Sequence, residues 1–296
     1  MSPLFDCADP AQLLAGTRQA RQAIGRGELI VMPTDTVYGI AADAFSPDAV
    51  TALLAAKGRG RQSPPPVLVA SRAMMQALVA EIPEPADRLI EAFWPGGLTI
   101  VLPAQPSLAW DLGDTHGTVA VRMPDHRLAR ELIEETGPLA VSSANLTGKA
   151  AAIAAEDAQA MLGDSVAVYL DDGLSQTGVS STIVDVTSLV GGTDPIVRVL
   201  REGAISRERL REVLGELLEA DPQLAGALHD SHDGHNHGGP VYDEPPHQDA
   251  LPEDVPPQGA LHQDVSPQDP PHQDQSGEAP ASRTAGARDA APGGDG

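Results

Sequence analysis

Residues 29–70 read LIVMPTDTVYGIAADAFSPDAVTALLAAKGRGRQSPPPVLVA. The apolar run Leu29-Ile30-Val31-Met32 has the composition of a buried strand. It stops at Pro33, which has no N–H to give to a sheet ladder. A polar loop follows, Thr34-Asp35-Thr36-Val37-Tyr38-Gly39. Ser46 and Pro47 then mark a helix start: a hydroxyl at the N-cap, and proline where its missing donor costs nothing. Val50, Leu53 and Leu54 share one face of that helix. It closes at Lys57-Gly58-Arg59-Gly60-Arg61, where glycine suits the stop and cations suit the negative end of the helix dipole. Val67-Leu68-Val69 reads as a second strand returning to the sheet. One strand end thus displays hydroxyls and one helix end displays cations.

Outward from this unit, the chain goes on alternating helices and strands. Upstream, Asp9-Pro10 starts a helix carrying Leu13, Leu14 and Ile24 that stops at Gly25/Gly27. Downstream, the spacing predicts helices near 72–81 and 84–93, the second ending at Trp94-Pro95-Gly96-Gly97. Strands follow at 98–102 and 118–123, with a polar segment holding Asp111, Asp114 and His116 between them. Asp125 is the expected cap of a helix at 126–136, and a strand at 138–142 leads into Ser143-Ala144-Asn145. A helix near 155–162, strands near 166–170, 181–187 and 196–200, and an amphipathic helix at 206–219 complete the pattern. Short strands interleaved irregularly with helices predict a single-domain α/β fold on a mixed sheet. No GxGxxG or P-loop follows a strand.

The formal net charge of −23 is uneven: residues 1–215 hold 26 acids and 17 Lys/Arg, and residues 216–296 hold 16 acids and 2 Arg. The apolar periodicity ends near Leu218. A folded domain over 1–220 and a disordered acidic, Pro/His/Gln-rich tail over 221–296 are the expectation. The single cysteine, Cys7, excludes an internal disulfide and any multi-cysteine metal site. The N-terminus lacks the basic and apolar regions of a signal peptide, and no apolar run approaches the ~20 residues of a membrane helix. A cytoplasmic protein with no membrane association is expected. The acidic total argues against non-specific duplex binding without excluding a local basic cleft.

Four polar clusters fall at strand ends, where α/β proteins usually bind ligands. They are Thr34/Thr36/Tyr38 with Lys57/Arg59/Arg61; Arg122, closing Val119-Ala120-Val121; Ser143-Ala144-Asn145; and Ser180-Ser181-Thr182 with Arg198/Arg201. Each alone is compatible with a turn or a solvated helix end, though a cation closing an apolar strand demands a partner. Converging, they suit a ligand bearing phosphate and carboxylate, because arginine pairs bidentately with both and lysine places a compact charge on phosphate. The folded part has only His116 and His126, so Ser/His/Asp nucleophilic catalysis is not indicated.

In this order, PTDTVYG, KGR, PGGLT, VAVRMP, SSANLTG, SSTIVD and VLREGAI resemble the YrdC-like threonylcarbamoyl-AMP synthases, in their short single-domain form, over roughly residues 15–215. The resemblance implies a twisted mixed parallel/antiparallel sheet with helices around a concave basic cavity. It implies synthesis of L-threonylcarbamoyladenylate and pyrophosphate from L-threonine, bicarbonate and ATP with Mg²⁺. A partner transferase then uses the product to make N6-threonylcarbamoyladenosine in tRNA, and contact with tRNA itself belongs to that picture. It assigns Lys57 and Arg59 to the ATP phosphates and to catalysis. Asn145, Ser143 and Arg201 fall to the nucleotide, and Thr36, Arg122, Ser143 and Ser181 to L-threonine. No metal ligand is implied in the protein.

The pattern departs from the family at Gly60, where a proline is usual, at Leu68, where many members have histidine, and at Ser180, where many have glutamate. These changes bear on threonine selection more than on nucleotide chemistry. The alternatives are an RNA-binding module using the same cleft, and a carbamoyl-transfer domain of the hydrogenase-maturation type. With 3 Phe, 2 Trp and 3 Tyr the chain offers few stacking surfaces for RNA, and the acylphosphatase and zinc-finger segments of the second class are missing. The tail cluster HDSHDGHNH carries ligand types suited to Ni²⁺ or Zn²⁺, but reads as a solvated segment without a specific ligand.

Overall fold

The computed structural model describes residues 1–191 and 195–221. The expected tail therefore lies, from residue 222 on, outside the described residues, and so does its histidine cluster.

The chain alternates as the sequence predicts, with two additional strands. Its strands are β1 (Leu4–Asp6), β2 (Ile30–Met32), β3 (Gly39–Asp43), β4 (Val67–Leu68), β5 (Leu98–Pro103), β6 (Thr118–Arg122), β7 (Leu139–Ser143), β8 (Val168–Asp171), β9 (Thr182–Asp185) and β10 (Arg198–Arg201). They form one ten-stranded sheet in the order β1-β8-β2-β3-β7-β4-β6-β5-β9-β10. The pairs β1/β8, β2/β8, β4/β6 and β5/β9 are parallel and the remaining neighbours antiparallel, so the sheet is mixed as expected. The helices are α1 (Pro10–Gly25), α2 (Pro47–Ala56), α3 (Arg72–Leu78), α4 (Glu84–Phe93), α5 (Arg127–Thr136), α6 (Ala155–Leu162) and α7 (Arg207–Leu214).

Local chemistry explains most of the helix starts. Asp9 accepts from the backbone N–H of Ala11 (2.7 Å) and Gln12 (3.3 Å), with Pro10 in the first turn of α1. Ser46 accepts from Ala49 (3.3 Å) and Ser71 from Met74 (3.2 Å). Gly58, at φ +63, takes the left-handed conformation that stops α2. At α5 the expectation fails. His126, not Asp125, is the N-cap residue and makes no side-chain cap bond, while the Asp125 N–H is given to Asp35 Oδ1 (3.1 Å). The last helix ends at Leu214 and tightens into a 3₁₀ turn over Gly215–Leu217, Gly215 adopting φ +59.

The strand missed with most consequence is β3. Its sequence, GIAAD, has little β-branched or aromatic content. It is held instead by its place between β2 and β7, pairing Ile40 with Val31 and Ser142, and Ala41 with Ile30 and Val141. Core packs on both faces of the sheet. One cluster joins α1 and α5 through Ala20, Ile24, Leu132 and Ile133, and a second joins α2 and α6 through Leu53, Ala158 and the buried rings of Tyr38 and Tyr169. The largest packs α4 and α7 on β5 and β9 through Leu89, Phe93, Leu210, Leu214, Ile100 and Val184. Among the described residues, no helix is long and apolar enough to cross a membrane.

Candidate active site

The sheet order brings the ends of β6, β7, β9 and β10 and the β2–β3 loop around one cavity of about 340 Å³. Thr34, Thr36, Arg59, Arg122, Ser143, Ser181 and Arg201 line it, as do Leu68 and Ser180. That volume is within the range of small-molecule sites. Among the described residues, three guanidiniums and no carboxylate line the cavity.

Arg122 is 6% exposed and is held on three sides. Nε donates to the Gly96 carbonyl (2.9 Å), Nη1 to Thr36 Oγ1 (2.9 Å) and Nη2 to Asp35 Oδ1 (2.5 Å). Burial pulls its pKa below the ordinary arginine value, and the Asp35 carboxylate opposes that shift. Proton order in the neighbouring hydroxyls follows from the partners. Thr34 Oγ1 donates its one hydrogen to the Val37 carbonyl (2.7 Å). At the 3.0 Å contact between the two hydroxyls, Thr36 is therefore the donor. Thr36, having given its proton to Thr34 and accepted one from Arg122, offers the cavity a remaining lone pair and no hydrogen.

The opposite wall is built around Ser181. Arg201 Nε and Nη2 both donate to the Ser181 carbonyl (3.0 and 2.8 Å), and Nη2 also reaches Ser181 Oγ (3.0 Å). Ser181 Oγ lies 2.9 Å from Thr99 Oγ1. Burial, then the charges of Arg122 and Arg59, lower the pKa of Arg201, as expected of a cation facing two others across a shared space. Gly203 packs behind this wall: a Cβ there would lie 2.2 Å from the Ser180 carbonyl and 2.6 Å from that of Ser181.

Lys57 and Asn145 do not line the cavity; they brace the strand that does. Lys57 is fully buried. Its ammonium donates to the carbonyls of Ser143 and Asn145 and to Asn145 Oδ1 (3.1 Å). Burial, with Arg59 adding to it, pulls its pKa down to about 8. Asn145 Nδ2 in turn donates to the carbonyls of Leu146 and Lys149, 2.8 Å each. Arg59 is exposed and lightly tied, Nε to Thr147 Oγ1 (3.2 Å) and Nη1 to Ser142 Oγ (3.4 Å).

Of the residues singled out in the sequence, Thr36, Arg59, Arg122, Ser143, Ser181 and Arg201 meet at the cavity, with Lys57 and Asn145 one layer behind Ser143. Arg61, Thr182 and Arg198 of the strand-end clusters do not join them, and Tyr38 lines the cavity without turning its hydroxyl into it. Arg61 is held by Asp111 (3.0 and 2.8 Å) and Asp114 (3.5 Å), which explains the acids of the 111–114 segment. The hydroxyl of Tyr38 turns away to Asp171 (3.1 Å) and the Gly173 carbonyl (2.5 Å). Thr182 is buried against Ile205. Asp35 and Thr99 were not singled out, since an acid in a turn and a threonine in a strand carry no distinguishing pattern. Among the described residues no group of three or more His, Cys, Asp or Glu is placed to hold a metal ion.

Fold and lining define a class: an α/β domain with a small-molecule-sized cavity at its strand ends, lined by three arginines, several hydroxyls and apolar side chains. The chain belongs to the Sua5/YciO/YrdC family, whose model, described as "Telomere recombination", matches residues 22–203. A provisionally named threonylcarbamoyl-AMP synthase of Mycobacterium tuberculosis is 56% identical over 215 residues, spanning 73% of this chain and 96% of that protein. The threonylcarbamoyl-AMP synthase of Bacillus subtilis is 39% identical over 202 residues, 67% of this chain and 56% of its own length. The structure of P. abyssi Sua5 complexed with L-threonine matches with a TM-score of 0.66 at 33% identity, covering 74% of this chain and 63% of that one. The family expected from the sequence motifs is thus borne out.

Proposed function

We propose that this chain is an L-threonylcarbamoyladenylate synthase, making threonylcarbamoyl-AMP and pyrophosphate from L-threonine, bicarbonate and ATP. The observation that carries the reading is Arg122, a buried cation at the cavity wall. Its three bonds among the described residues use three of five N–H groups. Two N–H groups remain for a carboxylate, the group arginine pairs with best. The relatives' names and the threonine in the P. abyssi complex support the same assignment.

The residues have defined parts in this chemistry. Arg122 receives the threonine carboxylate, and the free lone pair of Thr36 accepts from the amine. Ser181 and Ser143 complete the threonine side. The amine nitrogen takes up the carbon of bicarbonate and water leaves, giving a carbamate; a carbamate oxygen then attacks the α-phosphorus as the bond to pyrophosphate breaks. No side-chain nucleophile is required, and catalysis rests on positioning and charge neutralisation. Arg59 and Arg201, cations of the cavity lining, would grip the triphosphate and adenylate, and Lys57 and Asn145 fix the Ser143 strand from behind. Because none of the described residues lining the cavity carries a carboxylate, Mg²⁺ would be held by the phosphates themselves, supplying charge neutralisation there. A cytoplasmic setting, and a transferase that passes the threonylcarbamoyl group to tRNA, belong to the same reading.

The test is pyrophosphate release from ATP by the full chain with L-threonine, bicarbonate and Mg²⁺. Release dependent on both threonine and bicarbonate is expected. Release indifferent to threonine, or none, overturns the assignment.

A further inference from the structure

We infer that Asp35 is a positioning residue for the threonine carboxylate, acting only through Arg122. The inference rests on the proposed reading of Arg122 as the carboxylate site. Asp35 is 6% exposed and is not among the residues lining the cavity, so its influence on a ligand there runs through Arg122. Its Oδ1 receives two donors, Arg122 Nη2 at 2.5 Å and the Asp125 N–H at 3.1 Å. The carboxylate is thereby tied to the chain that leaves β6, the strand that carries Arg122. The guanidinium is a planar fork. Once Nε is committed to Gly96 and Nη1 to Thr36, the bond from Nη2 to Asp35 removes its last rotational freedom.

The directions of the two remaining N–H groups are therefore set before a ligand arrives, by Gly96 and Thr36 with Asp35 completing the constraint. Among the described residues, Asp35 also supplies the one negative charge paired with this buried cation. Without it Arg122 would have only a carbonyl and a hydroxyl as partners, at a position where an unpaired charge is strongly disfavoured. The pair is thus a pre-set receptor: one carboxylate fixes the arginine so that a second, on the substrate, meets it already aligned. Loss of that alignment raises the threonine requirement selectively, because Arg59 and Arg201 keep their own partners.

The experiment compares the full-length wild type with Asp35→Asn and Asp35→Glu. Threonine binding is measured by calorimetry, and the KM values for threonine and ATP by pyrophosphate release. For Asp35→Asn we expect the threonine KM and Kd to rise about 10- to 100-fold, the scale of a misplaced binding group, with the ATP KM within about twofold of wild type. Asp35→Glu keeps the charge and is expected to fall between them. L-Threoninamide, which lacks the carboxylate, should compete equally weakly with all three proteins.

Equal threonine KM in wild type and Asp35→Asn overturns the inference, as does a matching rise in both KM values, which would mark a general loss of structure. If Asp35→Asn does not fold, Asp35→Glu decides: a threonine KM unchanged from wild type overturns the inference, and a selective rise supports it. Failure of the wild type itself to bind threonine would instead overturn the proposed function on which the inference rests.

Discussion

Lys57→Met removes one ammonium and keeps most of the buried aliphatic stem, so it isolates what the charge does beneath Ser143. The ammonium donates to two backbone carbonyls and an amide oxygen. Hydrogen bonds to a charged group contribute ~1.5–3 kcal/mol each, and orphaned buried acceptors cost ~1–3 kcal/mol apiece. Against this, the variant is relieved of desolvating an ammonium, itself several kcal/mol. These opposing terms are of similar size, and a net loss on the order of 2 kcal/mol is expected, with the direction set by the three acceptors left without a donor. For a domain of this size that corresponds to a fall in Tm of ~4–8 °C. The Ser143–Asn145 turn would lose its anchor as well, so threonine-dependent pyrophosphate release should fall by ~10²-fold or more. Thermal melts and the pyrophosphate assay, run on the same preparations, measure both. A variant as stable as wild type refutes the clamp whatever its activity. One that is destabilised but fully active refutes the claim that the clamp serves the site.

Arg59→Ala removes an exposed side chain with two weak neighbouring contacts; Tm should stay within about 1 °C while turnover falls ~10²–10³-fold, as steady-state kinetics would report. Gly203→Ala forces a methyl group against the Ser180 and Ser181 carbonyls; overpacking of this kind costs ~1–3 kcal/mol, read by urea denaturation, and should raise the threonine KM because that wall is displaced. The depressed pKa of Lys57, about 8 against an ordinary 10.5, sets a pH dependence. Between those values the unfolded chain holds a proton that the folded protein has released, so this group adds stability as pH rises from about 8 toward 10.5 and none below. Urea unfolding at pH 7.5 and 9.5 should therefore show a rise with pH in wild type that is smaller in Lys57→Met. Equal pH dependence in the two would remove Lys57 as its source.

Features that depend on near neighbours along the chain are readable from the residues alone. Caps such as Asp9 and Ser46 act within three residues, and α4 begins and ends where its apolar spacing predicts. The mixed sheet followed from the irregular alternation of elements, and the motif order was enough to name the family. The cavity residues at strand ends were legible because arginine and serine there stand out against apolar runs.

Other features depend on partners remote in sequence and follow only from the folded chain. Strand β3 exists because β2 and β7 flank it, not because GIAAD favours a strand. Within one short run of cations, Arg59 faces the cavity and Arg61 is diverted to Asp111. Lys57 is buried under a turn 86 residues downstream, a contact no local rule encodes. Asp35 lies 87 residues from Arg122, and only folding makes a turn acid the counter-charge of a strand-end arginine. A residue's type limits the chemistry it can perform, but which partner satisfies it is fixed by which chain segments the sheet brings side by side.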